Sequence, residues 1–239
     1  MNSRMYVLVH GAWHTGEVWE RVATRLEGQG HRVLTPTLTG YGETAHLLGA
    51  AIDLETHIDD IVGLLLREDL ADVVLVGHSY AGMVISGVAH RVPERVGQLV
   101  YVDAMVPVDG ENAVDVMPVT QHLIDAAARG ATPWRIPPLP EMPAPAGLFG
   151  VTDPDDVAWL KPMVSDHALG CLTGRVRMGN PAADRVPSTH IHCVGSEPEG
   201  FERRPVPATV PPARVHELRS GHDCMVIVPD QVSALLLGV

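Results

Sequence analysis

The chain has 239 residues, 46% of them apolar and 19% charged, with a formal net charge of −12. That length suits one large domain, or one domain carrying an insertion, and the composition excludes disordered and fibrous classes. The acidic balance argues against a nucleic-acid or anionic-membrane surface, because phosphate recognition depends on clustered Lys and Arg. A small-molecule substrate is the partner expected.

Cys171, Cys193 and Cys224 form an odd set without C-x-x-C spacing, so neither a disulfide framework nor a zinc ribbon is encoded. The start of the chain passes from Met1-Asn2-Ser3-Arg4 into the strand-like run 5–9 without the apolar segment of a secretory signal. No stretch approaches the ~18 apolar residues of a membrane span. These features predict a cytoplasmic protein with no membrane partner.

In chain order, short apolar runs alternate with amphipathic segments, the rhythm of βαβ units around a parallel sheet. Six strands are expected, at 5–9, 32–35, 73–76, 98–102, 190–194 and 214–218. Helices are expected between them at 17–28, 54–67 and 82–91, with a last one near 228–237. The second of these sets Ile58, Ile61, Val62 and Leu65 on one face, with Asp53 placed to cap its start.

The rhythm breaks between the fourth and fifth strands. Residues 133–145 carry six prolines, which predicts an extended rather than helical segment, and a helix is expected at 154–163. Residues 104–188 therefore read as a cap inserted above the C-terminal edge of the sheet, where open α/β sheets bind ligands. The core is then formed by 1–103 and 189–239.

An apolar strand ends in Gly77-His78-Ser79-Tyr80-Ala81-Gly82 and runs into a helix. A serine on so tight a strand-to-helix turn needs small neighbours two before and two after, because backbone approaches backbone there. Gly77 and Ala81 meet that need, and the turn leaves the Tyr80 amide at a helix start, where it can donate to a developing oxyanion.

With His10-Gly11-Ala12-Trp13-His14 after the first strand and Gly221-His222-Asp223 after the last, the chain resembles the α/β-hydrolase superfamily. Within it the sequence is similar to the plant methylesterase and hydroxynitrile-lyase branch and its bacterial esterase relatives. The resemblance implies an α/β-hydrolase fold of about six mainly parallel strands, with the cap after the fourth. It implies Ser79 as nucleophile, His222 as general base, and the Ala12 amide as partner of Tyr80 in the oxyanion hole. The acid is placed either by Asp103, at the tip of the fourth strand, or by Glu197 or Glu199 after the fifth, where the plant enzymes carry an Asp and this chain has Pro198.

Ester hydrolysis through an acyl-enzyme is the chemistry these roles supply, with no cofactor or metal. His190 and His192 alternate on one strand but lack the third ligand that a zinc site wants. The cyanohydrin-cleaving relatives use a Lys after the base and a Thr near the oxyanion strand end; Asp223 and Gly11 stand there. Relatives that attack with Asp are set apart by Ser79. Trp13, His78, Trp134 and Met225 are the candidate pocket residues, which favours a small neutral ester with an apolar or aromatic group. Two other readings stay open: cyclisation, lactone-forming or retro-aldol chemistry in secondary metabolism, and a non-catalytic receptor for a small molecule.

Overall fold

The apolar runs become strands β1 (Met5–Val9), β2 (Arg32–Leu34), β3 (Val73–His78) and β4 (Val96–Val102), then, beyond a long insertion, β7 (Ser188–Val194) and β8 (Val215–Arg219). They form one parallel sheet in the order β2-β1-β3-β4-β7-β8. This is a computed structural model, and it describes residues 3–195 and 203–239. The central strand β3 is buried at all six positions, which is why its first four residues are continuously apolar rather than alternating. The edge strands β2 and β8 bury less and accept Arg32, Glu217 and Arg219.

Helices α1 (Glu20–Gly28), α2 (Leu54–Arg67) and α3 (Ala81–Arg91) follow the first three strands. The start of α2 is fixed by a capping box: the Asp53 side chain accepts from the Thr56 amide, and the Thr56 hydroxyl reaches back to the Asp53 amide. Its inward face buries Ile58, Ile61, Val62 and Leu65, each contributing about 1.5–3 kcal/mol. The expected helix at 17–28 opens with one 3-10 turn, Gly16–Trp19, before α1 begins.

Between β4 and β7 the chain builds smaller pieces: α4 (Ala113–Val116), α5 (Gln121–Ala128), the strand β5 (Arg135–Ile136), α6 (Pro154–Leu160), the strand β6 (His167–Ala168) and α7 (Leu169–Thr173). β5 and β6 pair antiparallel as a separate two-stranded sheet. Asp153 caps α6 by accepting from the amides of Asp155 and Asp156. The chain closes with α8 (Cys224–Ile227) and α9 (Pro229–Leu237).

The topology decides which strand ends come together. From β1 the chain runs out to the edge at β2 and then returns across β1 to β3, so the direction of winding reverses between β1 and β3. The register keeps the strand ends level, with Val9 opposite Gly77 and His78 opposite Val102, so the residues just beyond β1, β3 and β4 meet along one edge. Among the described residues, no helix is long and apolar enough to cross a membrane.

Candidate active site

Ser79 leaves β3 at a φ of 56°, a left-handed conformation seldom adopted by a residue with a side chain. A Cβ on Gly77 would stand 2.8 Å from the Ala81 carbonyl oxygen, and one on Gly11 would stand 2.9 Å from Ser79 Cβ. Glycines at these two positions therefore let the turn close and let the end of β1 approach it. Ser79 is held by its backbone, donating to Val102 O at 3.2 Å and accepting from Met105 N at 2.9 Å.

His222 follows β8 on a loop pressed against the turn at Leu148–Val151. A Cβ on Gly221 would lie 2.6 Å from Gly150 O, and Asp223 N donates to Phe149 O at 2.9 Å. The imidazole Nε2 stands 2.9 Å from Ser79 Oγ, and Nδ1 stands 2.6 Å from Asp103 Oδ2. Asp103, at the tip of β4 with a φ of 44°, uses its other oxygen to accept from Cys193 N at 3.1 Å and Arg203 Nη1 at 2.8 Å. Arg203 also donates to Cys193 O at 2.9 Å, which ties the carboxylate to the end of β7. Glu197 and Glu199 lie outside the described residues.

Burial alone would raise the Asp103 pKa, but the hydrogen bond and charge of His222 and the charge of Arg203 outweigh it and hold the carboxyl well below its usual range. Burial works against protonated His222, yet Asp103, by hydrogen bond and charge, and Asp223, by charge, carry its pKa above the ordinary value. The serine hydroxyl thus faces a ring nitrogen whose other side is fixed by a carboxylate.

The amides of Ala12 and Tyr80 donate to no other backbone group among the described residues. Tyr80 is locked from behind: its hydroxyl is 3.1 Å from His57 Nδ1, while His57 Nε2 donates to Thr39 O at 3.0 Å. Tyr41, hydrogen-bonded to His167, packs beside this group.

The candidate pocket residues sit differently from one another. Trp13, at a φ of 69°, stacks on Phe149 and donates from its indole to Ile136 O at 3.2 Å, joining β1 to the insertion. Trp134 is half-buried beside the Arg135 guanidinium, 5.1 Å from its ring centre. Met225 is wholly buried in the core. His78 is buried beneath His222, its Nε2 3.0 Å from His222 O, and burial together with the nearby His222 lowers its pKa to about 3. A hollow of about 300 Å³ between α5 and β5 contains none of these residues.

Among the described residues, His78, His222 and Asp223 bring three ligand-type atoms within 4.8 Å of one another. A metal there would compete with bonds already made, since both His222 nitrogens face Ser79 and Asp103 and Asp223 Oδ2 is taken by His14. His190 is stacked on Tyr101 with its ring centre 4.9 Å away. Arg203 and the pairing of His14 with Asp223 are the features that sequence reasoning missed. The second had a visible signal, an acidic residue directly after His222.

Comparison with known proteins identifies the family and the fold. The chain is 36% identical over 238 residues to a carbendazim hydrolyzing esterase of Nocardioides sp., covering 97% of each chain. It is 25% identical to salicylic acid-binding protein 2 of Nicotiana tabacum, covering 98% of this chain and 96% of that one. An extracellular alpha/beta-hydrolase from a Paenibacillus species has the same fold, with a TM-score of 0.75 at 21% identity and 98% coverage of both chains. The profile of the alpha/beta hydrolase family matches residues 6–235. With a match of that extent, a parallel sheet wound in this order and a serine turn after β3, the chain belongs to the alpha/beta hydrolase family.

Proposed function

We propose that this protein is a serine esterase that cleaves a small, neutral carboxylic ester with an apolar or aromatic group through an acyl-enzyme on Ser79. The observation that carries the reading is the continuous relay from Ser79 Oγ to His222 Nε2 at 2.9 Å and from His222 Nδ1 to Asp103 Oδ2 at 2.6 Å. The similarity to relatives named as an esterase and as methylesterases supports the same chemistry.

In the first half-reaction, the Ser79 proton passes to His222 Nε2 as Oγ attacks the ester carbonyl. The amides of Ala12 and Tyr80 hold the oxyanion, and Asp103 stabilises the imidazolium. His222 returns the proton to the leaving alkoxide, which departs as the alcohol. A water molecule then gives its proton to His222, attacks the acyl carbonyl and releases the acid, restoring Ser79. Arg203 supports the role of Asp103, because a cation on its far oxygen keeps the carboxylate ionised throughout.

Residues 104–188 serve as the cap in this reading, with Trp13, Phe149 and Trp134 offering aromatic surface to the substrate. Supporting this role, the base loop abuts the insertion directly at Gly150 and Phe149. Three free cysteines suit a reducing, cytoplasmic setting.

Hydrolysis of short and medium chromogenic esters by wild type, Ser79→Ala, Asp103→Asn and Glu197→Gln, with a fluorophosphonate label located by mass, tests the reading. Labelling at Ser79, with activity lost in the first two variants and kept in the third, is the expected result. An unlabelled Ser79 with no ester turned over would point instead to a receptor or to cyclisation chemistry.

A further inference from the structure

Beside the loop that carries His222 lies a second histidine–aspartate pair. His14 follows β1, and Asp223 follows His222 directly. The His14 Nε2 stands 2.9 Å from Asp223 Oδ2, and its Nδ1 stands 2.7 Å from the Ala12 carbonyl oxygen. With Asp223 ionised both partners are acceptors, so both ring nitrogens donate, and a ring that donates twice is an imidazolium. The two side chains are 2% and 0% exposed, which makes them a cation and an anion paired out of water.

The electrostatics agree with the geometry. Burial works against a charged His14, but the charge and hydrogen bond of Asp223 outweigh it and raise the His14 pKa. Burial likewise opposes ionised Asp223, and His14 outweighs that in turn, so the carboxyl titrates below its usual value. Such a pair is a weak source of stability, because desolvating two ions offsets most of their attraction. Its effect is on position.

The two ends of the pair are joined to the two halves of the reaction machinery. His14 grips the carbonyl of Ala12, whose amide faces the oxyanion, and Asp223 is the neighbour of the base. Asp223 Oδ1 has no hydrogen-bond partner and lies 3.8 Å from His78 Nε2, so its negative potential is left facing the region of His222. We propose that His14 and Asp223 are positioning residues that staple the base loop to the end of β1, holding His222 and the Ala12 amide in one fixed relation. The role rests on the esterase reading of Ser79.

Among the described residues, the charged and titratable groups around His222 are Asp103 after β4, Cys193 at the end of β7, Arg203 beyond it, His78 from β3, His14 after β1 and Asp223 on its own loop. Asp223→Asn keeps the shape of the side chain and removes an anion, so protonating His222 becomes harder. His14→Gln removes a cation and leaves that anion uncompensated, so protonating His222 becomes easier. The base acts unprotonated, and kcat/KM therefore rises with pH as it loses its proton. The rising limb moves to lower pH in Asp223→Asn and to higher pH in His14→Gln. Each variant loses about tenfold or more in kcat with KM changed by less than about threefold. In the double variant the limb returns toward that of wild type.

Wild type supplies a readout that needs no substitution. In protein labelled with 15N-histidine, His14 is expected to show both ring nitrogens protonated at neutral pH. A neutral His14, or two single variants whose limbs move in the same direction or not at all, would overturn the positioning role. Fluorophosphonate labelling of Ser79 is run on the same sample. A failure to label counts against the hydrolytic reading alone, while the state of His14 still decides whether the ion pair exists.

Discussion

Two histidine–aspartate pairs flank the loop at 221–223, and they differ in what the histidine's second nitrogen meets. His222 uses Nδ1 on Asp103 and keeps Nε2 for a hydroxyl, with a third of its side chain exposed to solvent. His14 gives Nε2 to Asp223 and Nδ1 to a carbonyl, and it is sealed from water. A ring between a carboxylate and a hydroxyl can pass a proton in either direction, whereas a ring between two acceptors has no reason to release one. On the proposed reading, the same two side-chain types give a base in one place and a structural cation in the other. The difference lies in the third partner and in access to solvent.

The comparison breaks most severely at the serine. Ser79→Ala removes the hydroxyl that makes His222 different from His14, and ester turnover should fall by about 10⁴-fold or more with the fold intact by circular dichroism. Asp103→Asn should cost about 10⁴-fold in kcat, because an amide can hold the imidazole in the wrong tautomer. Steady-state kinetics on one chromogenic ester ranks both against the tenfold class expected for the buried pair.

A smaller effect is expected from Gly221→Ala. The added Cβ would meet backbone at 2.6 Å, so the loop must shift and both pairs with it. A loss of about 1–3 kcal/mol in stability, with kcat lowered more than KM is raised, would mark that shift in denaturant titration and kinetics.

Smaller again is the pH dependence of stability. His14 titrates above its ordinary value in the folded chain, so its contribution is complete below the unfolded histidine value and declines as pH rises through the folded one. The gap in melting temperature between wild type and His14→Gln should therefore narrow with rising pH above about 6.5. At the surface, Arg91 reaches Glu55 and Asp59 with its side chain over a third exposed, and Arg91→Ala should cost at most about 1 kcal/mol.

Much of this was legible in the sequence where the cause is local. The six strands lie within two residues of their expected limits because buried parallel strands are short apolar runs between turn signals. Asp53 caps α2 as its position before Leu54 suggested. The serine turn was readable because Gly77 and Ala81 are steric requirements of the turn itself.

What was not legible depends on distant partners. His14 and Asp223 are 209 residues apart, and although an acidic residue directly after His222 is visible in the sequence, its partner is not. Arg203 reaches Asp103 across 100 residues from a segment with no periodic pattern. The insertion hides its elements for another reason. α4 and α7 span four and five residues, too few for a helical repeat to show, and β5 and β6 have two residues each.

The central claim is that the His222 face of this loop does covalent chemistry at Ser79, and trapping the intermediate tests it most directly. Wild type is mixed with a chromogenic ester, quenched in acid within the first turnovers, digested, and read by mass. The account predicts one acyl group on the peptide carrying Ser79, with a burst of chromophore equal to the enzyme present where deacylation is slow, and neither in Ser79→Ala. Ester turnover that persists in Ser79→Ala, or an acyl group found on another residue, would contradict it.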